Sequence, residues 1–497
     1  MTTRRKFLKA GAGLLVLPTG CGPRRGPADP EGVLVNDVQS QLNATPVRRI
    51  VKPTTLGELE EAVRAARREG GQLSVCGARH AMGGQQFGAA TTLVDISGLK
   101  RVLSFDAATG IVEVEAGIDW PRLVDWLLEE QKGRTRQWGI RQKQTGADRL
   151  TLGGALSANV HGRGLTLPPI VGDVESFTMV AADGTPRKCD RRENPELFRL
   201  AIGGYGLFGI IASVRLRLAP RRKLERVVEL IDAEELMGAF ERRIAEGYLY
   251  GDWQYAIDPE SPGFLRKGVF SCYRPVPDDT RVPDVFKELS PEQWTELAWL
   301  AHADPRNAFE RYAGYYLTTS GQVYWSDLHQ MGVYLDDYHR ALDVRLGASD
   351  RATEIITEIY VPRAELARFL ADVRKVFREH RVQTIYGTVR LIAKDEESFL
   401  AWARQAYACT IFNLHTVHTA AGIEASAEAF RSLIDLALAR GGSYYLTYHR
   451  FATRRQVEAC HPRFAEFLRL KRRHDPQELL QSEWYRHYRT MFADVLA

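Results

Sequence analysis

The chain has 497 residues, 44% of them hydrophobic and 26% charged, with a formal net charge of +5. That length exceeds one small core and predicts two domains, or one domain with a large insertion, in an ordinary soluble globular protein. A charge excess this small, with no long Lys/Arg block interleaved with aromatics after the first residues, excludes nucleic acid as an expected partner.

Residues 1–30 read as a leader and linker. Arg4-Arg5 precede Phe7-Leu8-Lys9 and an apolar run from Ala10 to Leu17, which is too short to span a bilayer as a helix. The pattern resembles a twin-arginine export signal, which implies the Tat machinery as a partner and a periplasmic or extracytoplasmic destination. Cys21 follows Leu17-Pro18-Thr19-Gly20, similar to a lipoprotein attachment site, but Pro18 stands where an aliphatic residue is preferred. Cleavage to a soluble protein is therefore favoured over a lipid anchor at Cys21. No later apolar run is long enough for a transmembrane helix. The other cysteines, Cys76, Cys189, Cys272, Cys409 and Cys460, are spaced too irregularly for a disulfide framework or a zinc site. An oxidising compartment would permit one bridge among them.

Regular structure begins after a Pro/Gly-containing entry segment. Leu56, Leu59, Ala62, Val63 and Ala66 recur at helical spacing, and Gly70-Gly71 stop that helix. A short apolar strand then runs into "SVCGARHAMGGQQFG", residues 74–88. There Gly77, Gly83 and Gly84 allow positive φ or close approach of the backbone to another group. "TTLVDIS" and "GIVEVEAG" read as strands, "SFTMVAADGTPRKC" as a hairpin turning at Asp183-Gly184, "NPELFRLAIGG" as a capped helix and "GIIASVRLRLAP" as an alternating strand. Residues 46–220 thus form one α+β unit. Residues 225–440 hold a Trp- and Tyr-rich middle, helices near 363–379 and 424–440, and apolar strands at "EIITEIYV", "TIYGTVRLIA" and "YACTIFNLHT", which predict a second sheet with helices on one face. Residues 441–497 end in a helix and a Pro-marked turn.

Gly204-x-Gly206-x-x-Gly209 has the spacing of a dinucleotide fingerprint, but a helix precedes it and a strand follows, the reverse of a nicotinamide site. A second glycine-rich element, "TLGGALSANVHGRG" at 151–164, holds His161 as the first loop holds His80. Two such loops, each beside a strand, suit a long anionic ligand whose pyrophosphate is held by backbone N–H groups.

Together with "GGYGLFGII", these loops resemble the FAD-binding domain of the vanillyl-alcohol-oxidase (p-cresol-methylhydroxylase, PCMH-type) flavoprotein family. The chain looks most like its sugar, alditol and aldonolactone oxidoreductases. The tail "GGSYYLTYHR…HPRFAEFLRLKRRHDP" is similar to that of decaprenylphosphoryl-ribose oxidase. The resemblance implies a two-subdomain FAD domain over 46–220, a substrate (cap) domain over 225–440 with a mixed or antiparallel sheet covered by helices, and a 441–497 segment returning to the FAD domain. It implies FAD as cofactor, with Gly77, Ala78, Arg79, His80, Ala81 and Met82 wrapping the pyrophosphate. Where relatives have Gly-x-Gly-His-Ser, the His carries a covalent flavin. Here the second Gly and the Ser are replaced, His80 is kept as the candidate attachment residue, and a His packed against the ring is the alternative. Gly146, Thr151, Leu152, Gly153 and Gly154 match the run along the flavin, and His161 and Gly162 the second loop. Ile210 matches the residue whose backbone meets the pyrimidine, and Tyr445 a Tyr reaching back to the isoalloxazine. Small residues at Gly153-Gly154-Ala155 imply oxygen access, and a quinone or cytochrome is the other acceptor.

On the substrate side, residues 356–358, Arg390 and Tyr448 match positions that face substrate in relatives. Tyr448 replaces a Lys, which puts proton transfer there in doubt. Glu358 is an ionisable group in an apolar strand, a pattern of functional carboxylates. Arg390, Glu358, His161 and Tyr448 are thus the candidate catalytic residues of an exported enzyme that oxidises a CH–OH group by hydride transfer to flavin N5. The aromatics between 293 and 338 suit a sugar-like ring or polyol, neutral rather than phosphorylated. The alternatives are a flavin-binding electron-transfer or assembly protein, and a metal hydrolase using His415-x-x-His418. Strand residues three apart point to opposite faces, so no metal site is expected from that pair.

Overall fold

The computed structural model describes residues 32–332, 335 and 337–496. The twin-arginine leader and Cys21 lie outside the described residues. Three sheets organise the chain. The first is parallel, three-stranded and ordered Arg49–Val51, Thr92–Asp95, Leu73–Cys76. The helix Leu56–Arg68 links its first and last strands, capped at Thr55, whose side chain accepts from the Glu58 amide. It buries Leu59, Val63 and Ala66, an i, i+4, i+7 stripe, and each larger side chain there contributes about 1.5–3 kcal/mol.

The second sheet has five antiparallel strands in the order Pro186–Asp190, Val174–Val180, Ile210–Arg217, Ile111–Glu115, Val102–Asp106. Its 174–190 hairpin turns at Gly184, with φ 80°. The helix Pro195–Ala201 lies where the sequence places it, but Asn194 does not cap it. Its side chain instead donates to the Lys188 carbonyl, and Pro195 supplies the start signal by presetting φ.

The third sheet is antiparallel, with eight strands in the order Val323–Trp325, Lys223–Asp232, Lys267–Pro275, Tyr250–Tyr255, Thr384–Ile392, Tyr407–Val417, Ala352–Pro362, Ser443–Tyr444. The three longest apolar runs of the second half are adjacent here. The amphipathic helix Leu366–Glu379 buries Leu366, Phe369, Leu370, Val373 and Phe377. Two helices that the sequence reading passes over, Pro291–Ala303 and Pro305–Thr318, come from the aromatic middle. Ser290 opens the first with a capping box and Asp304 caps the second, local signals that outweigh the absence of a clean apolar stripe. The C-terminal segment bonds back to the start: the Leu73 amide donates to the Leu479 carbonyl at 2.7 Å, and the Gln481 amide to the Leu73 carbonyl at 2.7 Å. All five described cysteines are free and buried. No described helix is long and apolar enough to cross a membrane.

Candidate active site

The three glycine-rich loops meet around one cavity of about 480 Å³. The first leaves the strand Leu73–Cys76 at Gly77, where a Cβ would stand 2.0 Å from Thr151 Oγ1. Gly77 is thus required by the approach of the second loop, not by its own φ. Of the three glycines flagged here only Gly84 has positive φ (76°), and the loop's other left-handed residue is Arg79 (62°). The third loop also closes tightly, since a Cβ on Gly206 would lie 2.7 Å from Val75 Cγ1.

Carbonyls of the first loop are tied to protein. The Val38 amide donates to Arg79 O at 3.0 Å, Gln86 Nε2 to Ala81 O at 2.7 Å and Asn43 Nδ2 to Met82 O at 2.6 Å. The described chain has no cis peptides. The amides of His80 and Met82 therefore point away from the Val38 and Gln86 donors, an arrangement suited to an anion.

Residues 77–82, Gly146, Thr151, Gly153, Gly154, Ile210 and Tyr445 all line the cavity. Three of the expected cofactor positions do not. Leu152 is buried in the hydrophobic core because it opens a helix whose other face carries Gly153 and Gly154. Gly162 packs against the Lys143 carbonyl, 2.9 Å from where a Cβ would be. His161 stands behind the wall, bonded to Glu358, so it meets the cavity only through that carboxylate.

Glu358, Arg390 and Tyr448 form the wall on the side of the large sheet. Glu358 is fully buried and accepts from Tyr448 OH on Oε1 at 2.8 Å and from Tyr360 OH on Oε2 at 2.9 Å. His161 Nε2 lies 2.9 Å from Oε2, and its Nδ1 lies 3.0 Å from the Gly162 carbonyl. Two acceptors on two ring nitrogens require imidazolium facing carboxylate, or imidazole facing a carboxylic acid. Burial pushes the Glu358 carboxyl up, but the charge and hydrogen bond of His161, the Arg390 guanidinium and the Tyr448 hydroxyl outweigh it and hold it below the usual carboxylate range. The ionised form follows. Burial, with the Glu358 charge, pushes the Tyr448 hydroxyl well above its ordinary value, so Tyr448 stays protonated as a donor.

Arg390 lies across from Cys409 on the neighbouring strand. Its Nε and Nη1 are buried without a hydrogen-bond partner among the described residues, as is Gln144 Oε1, while Gln144 Nε2 donates to Tyr448 OH at 3.3 Å. Unsatisfied buried groups on a cavity wall are what a polar ligand would complete. Tyr360 and Gln144 were not singled out from the sequence. Tyr360 was findable, since it follows Glu358 by two residues and so shares its strand face. Of the aromatic middle, Trp294, Tyr312 and Tyr338 reach the cavity, whereas Trp299 lies under Arg345 at 3.9 Å.

Glycine loops that approach to the limit of contact, amides turned from their tied carbonyls, and a 480 Å³ cavity fit a long pyrophosphate-bearing cofactor. Residues 47–190 match the family described as "FAD binding domain". The chain carries an FAD-binding domain. Proteins similar to it over this region are named as aldonolactone oxidases and dehydrogenases. The rice (Oryza sativa subsp. japonica) L-galactono-1,4-lactone dehydrogenase 2, mitochondrial, is 30% identical over 199 residues, 40% of this chain and 33% of that protein. Mouse (Mus musculus) L-gulonolactone oxidase is 28% identical over 173 residues, 34% of this chain and 37% of that protein. An oxidoreductase of the Rhodococcoides fascians fasciation locus is 27% identical over 220 residues, 44% and 48% respectively. The matched region spans about a third to a half of the length of these relatives.

Proposed function

We propose that the chain is an FAD-dependent oxidoreductase that oxidises a CH–OH group of a sugar lactone, sugar or polyol. One observation carries the proposal: a fully buried Glu358 and a buried Arg390, two of whose nitrogens have no hydrogen-bond partner among the described residues, share the wall of the cavity that the glycine loops line. When bound, FAD supplies the two-electron acceptor. The chain itself handles the proton and the oxygen. Glu358 accepts the hydroxyl proton on Oε1, which has one donor where Oε2 has two close partners. His161 and Tyr360 hold the carboxylate from behind, and Arg390 attracts the substrate oxygen as negative charge develops on it. Tyr448 stays a hydrogen-bond donor. The lactone class is supported by the names of the relatives, and Tyr448 in place of a Lys weakens the demand for an anionic, phosphorylated sugar.

His80 on the cavity wall is the point of covalent flavin attachment in this proposal. Twin-arginine export rests on Arg4-Arg5 and the short apolar run. The purified protein should be yellow, and an anaerobic panel of lactones, sugars and polyols should bleach it. A flavin spectrum that none of them bleaches would reject the enzyme in favour of an electron carrier. Rapid reoxidation in air would indicate an oxidase, and slow reoxidation a dehydrogenase serving a quinone or cytochrome.

A further inference from the structure

The strand that carries Glu358 presents a second carboxylate on the same face. Glu354 precedes it by four residues, about 13 Å along a strand, and pairs across the sheet with His415. The helix Pro291–Ala303 brings His302 down on this point, and the helix His339–Leu346 brings His339. His302 Nε2, Glu354 and His415 offer ligand atoms that all lie within 4.8 Å of one another. His339 Nδ1 is 2.9 Å from Glu354 Oε2. Glu354 and His339 line the same cavity as Glu358.

The hydrogen bonds of this cluster do not close. His302 Nδ1 faces the Ala298 carbonyl at 2.9 Å and carries a proton there, so in the neutral ring Nε2 is a lone pair. Nε2 stands 3.3 Å from Glu354 Oε1, and no hydrogen bond joins them. His302 Nε2, Glu354 Oε1 and His415 Nδ1 are all buried without a hydrogen-bond partner among the described residues. The His302 and His415 rings meet edge to face, with centroids 4.9 Å apart. Acceptors facing one another in a buried site repel unless a proton or a metal cation lies between them. Donors bound tetrahedrally at zinc distances stand about 3.3 Å apart, the spacing found between Nε2 and Oε1. The second carboxylate oxygen is held separately, since Tyr338 OH donates to Oε2 at 2.6 Å, as outer partners orient a metal-binding carboxylate.

We infer that His302 Nε2, Glu354 Oε1 and His415 form a binding site for a divalent transition cation of the zinc class, with His339 and Tyr338 orienting the carboxylate. Three protein ligands leave a coordination position for water or a ligand oxygen. The ion would clamp the helix Pro291–Ala303 onto the paired strands Ala352–Pro362 and Tyr407–Val417, about 13 Å along the strand from Glu358. The site differs from the pair visible in the sequence: His418 Nε2 lies 2.9 Å from Thr353 Oγ1, a neighbour of Glu354 on the opposite face, so only His415 contributes.

The test uses untagged holoprotein, stripped by dialysis against a chelator, reloaded with zinc chloride alone, gel-filtered and assayed for metal by mass spectrometry. Wild type and His418→Gln should retain about one zinc per chain, and His302→Gln and His415→Gln should bind roughly 100-fold more weakly or worse. The flavin spectrum of each variant reports whether it has folded. X-ray absorption on the zinc-loaded wild type should show two imidazoles, a measurement that does not depend on any variant. No retained zinc in wild type, folded His302 and His415 variants that keep it, or a zinc shell with fewer than two imidazoles would each overturn the site.

Discussion

Replacing Glu358 with Gln isolates the proton-accepting role, because the amide has the volume of the carboxylate and neither its charge nor its basicity. The donor pattern mostly survives. The amide oxygen can take His161 Nε2 and Tyr360, which both approach Oε2, and the amide nitrogen can donate to Tyr448 OH once that hydroxyl rotates. The cofactor loops are untouched, so flavin content and melting temperature should stay close to wild type. Loss of a positioned general base costs about 10²–10⁴-fold in rate, which is about 2.7–5.4 kcal/mol of barrier. The assay is anaerobic stopped-flow bleaching of the flavin by the best lactone or polyol substrate, which reads the reductive step without interference from reoxidation. The fall should appear in the limiting rate and leave substrate affinity nearly unchanged, since the group acts when the proton leaves. A limiting rate within threefold of wild type, with flavin content intact, would refute Glu358 as the base.

Gly77→Ala places a methyl 2.0 Å from Thr151 Oγ1, so the two loops must part, and the purified variant should have lost most of its flavin by absorbance ratio. Acid denaturation should leave the yellow colour in the pellet for wild type and release it for His80→Ala; free FAD in the wild-type supernatant would reject the linkage. Arg390→Ala should lower kcat/KM by about 10²-fold while keeping its flavin, and an unchanged value would remove Arg390 from the chemistry. Because Glu358 is held below the ordinary carboxyl value of 4.5 and works ionised, kcat/KM should lose activity on its acid side only below pH 4.5, as the carboxylate is protonated. An acid limb centred above that value would reverse the assigned sign.

The sequence exposes what is local. The strand Ala352–Pro362 shows as "EIITEIYV", and Glu358 stands out there as a charge in an apolar run. The helix Leu56–Arg68 shows its stripe, and the glycine loops show their ligand by order and spacing. What the sequence withholds is pairing at long range. His161 and Glu358 are 197 residues apart and meet only because the second glycine loop packs under the large sheet. Local detail also depends on neighbours. Of the two roles open to the loop glycines, Gly77 takes close approach, to Thr151, Arg79 shares the left-handed backbone with Gly84, and His161 is bonded to Glu358, which lies between it and the cavity.

The histidines of the large sheet show the same division between local pattern and packing. In "TIFNLHTVHT" the alternation of a strand sends His415 and His418 to opposite faces, which removes them as a joint metal pair and leaves each with a separate environment. His415 then depends on what covers its face. The cover is the helix Pro291–Ala303, whose aromatic composition conceals its periodicity, so His302 could not be placed opposite His415 before the packing was known. Once the helix is docked, a strand carboxylate, a strand imidazole and a helix imidazole converge, with His302 Nε2 3.3 Å from Glu354 Oε1 and no hydrogen bond between them. A buried contact of that kind is costly if left unfilled. It lies on the strand that also positions Glu358, so any ion there would stiffen the frame of the proposed base without touching it.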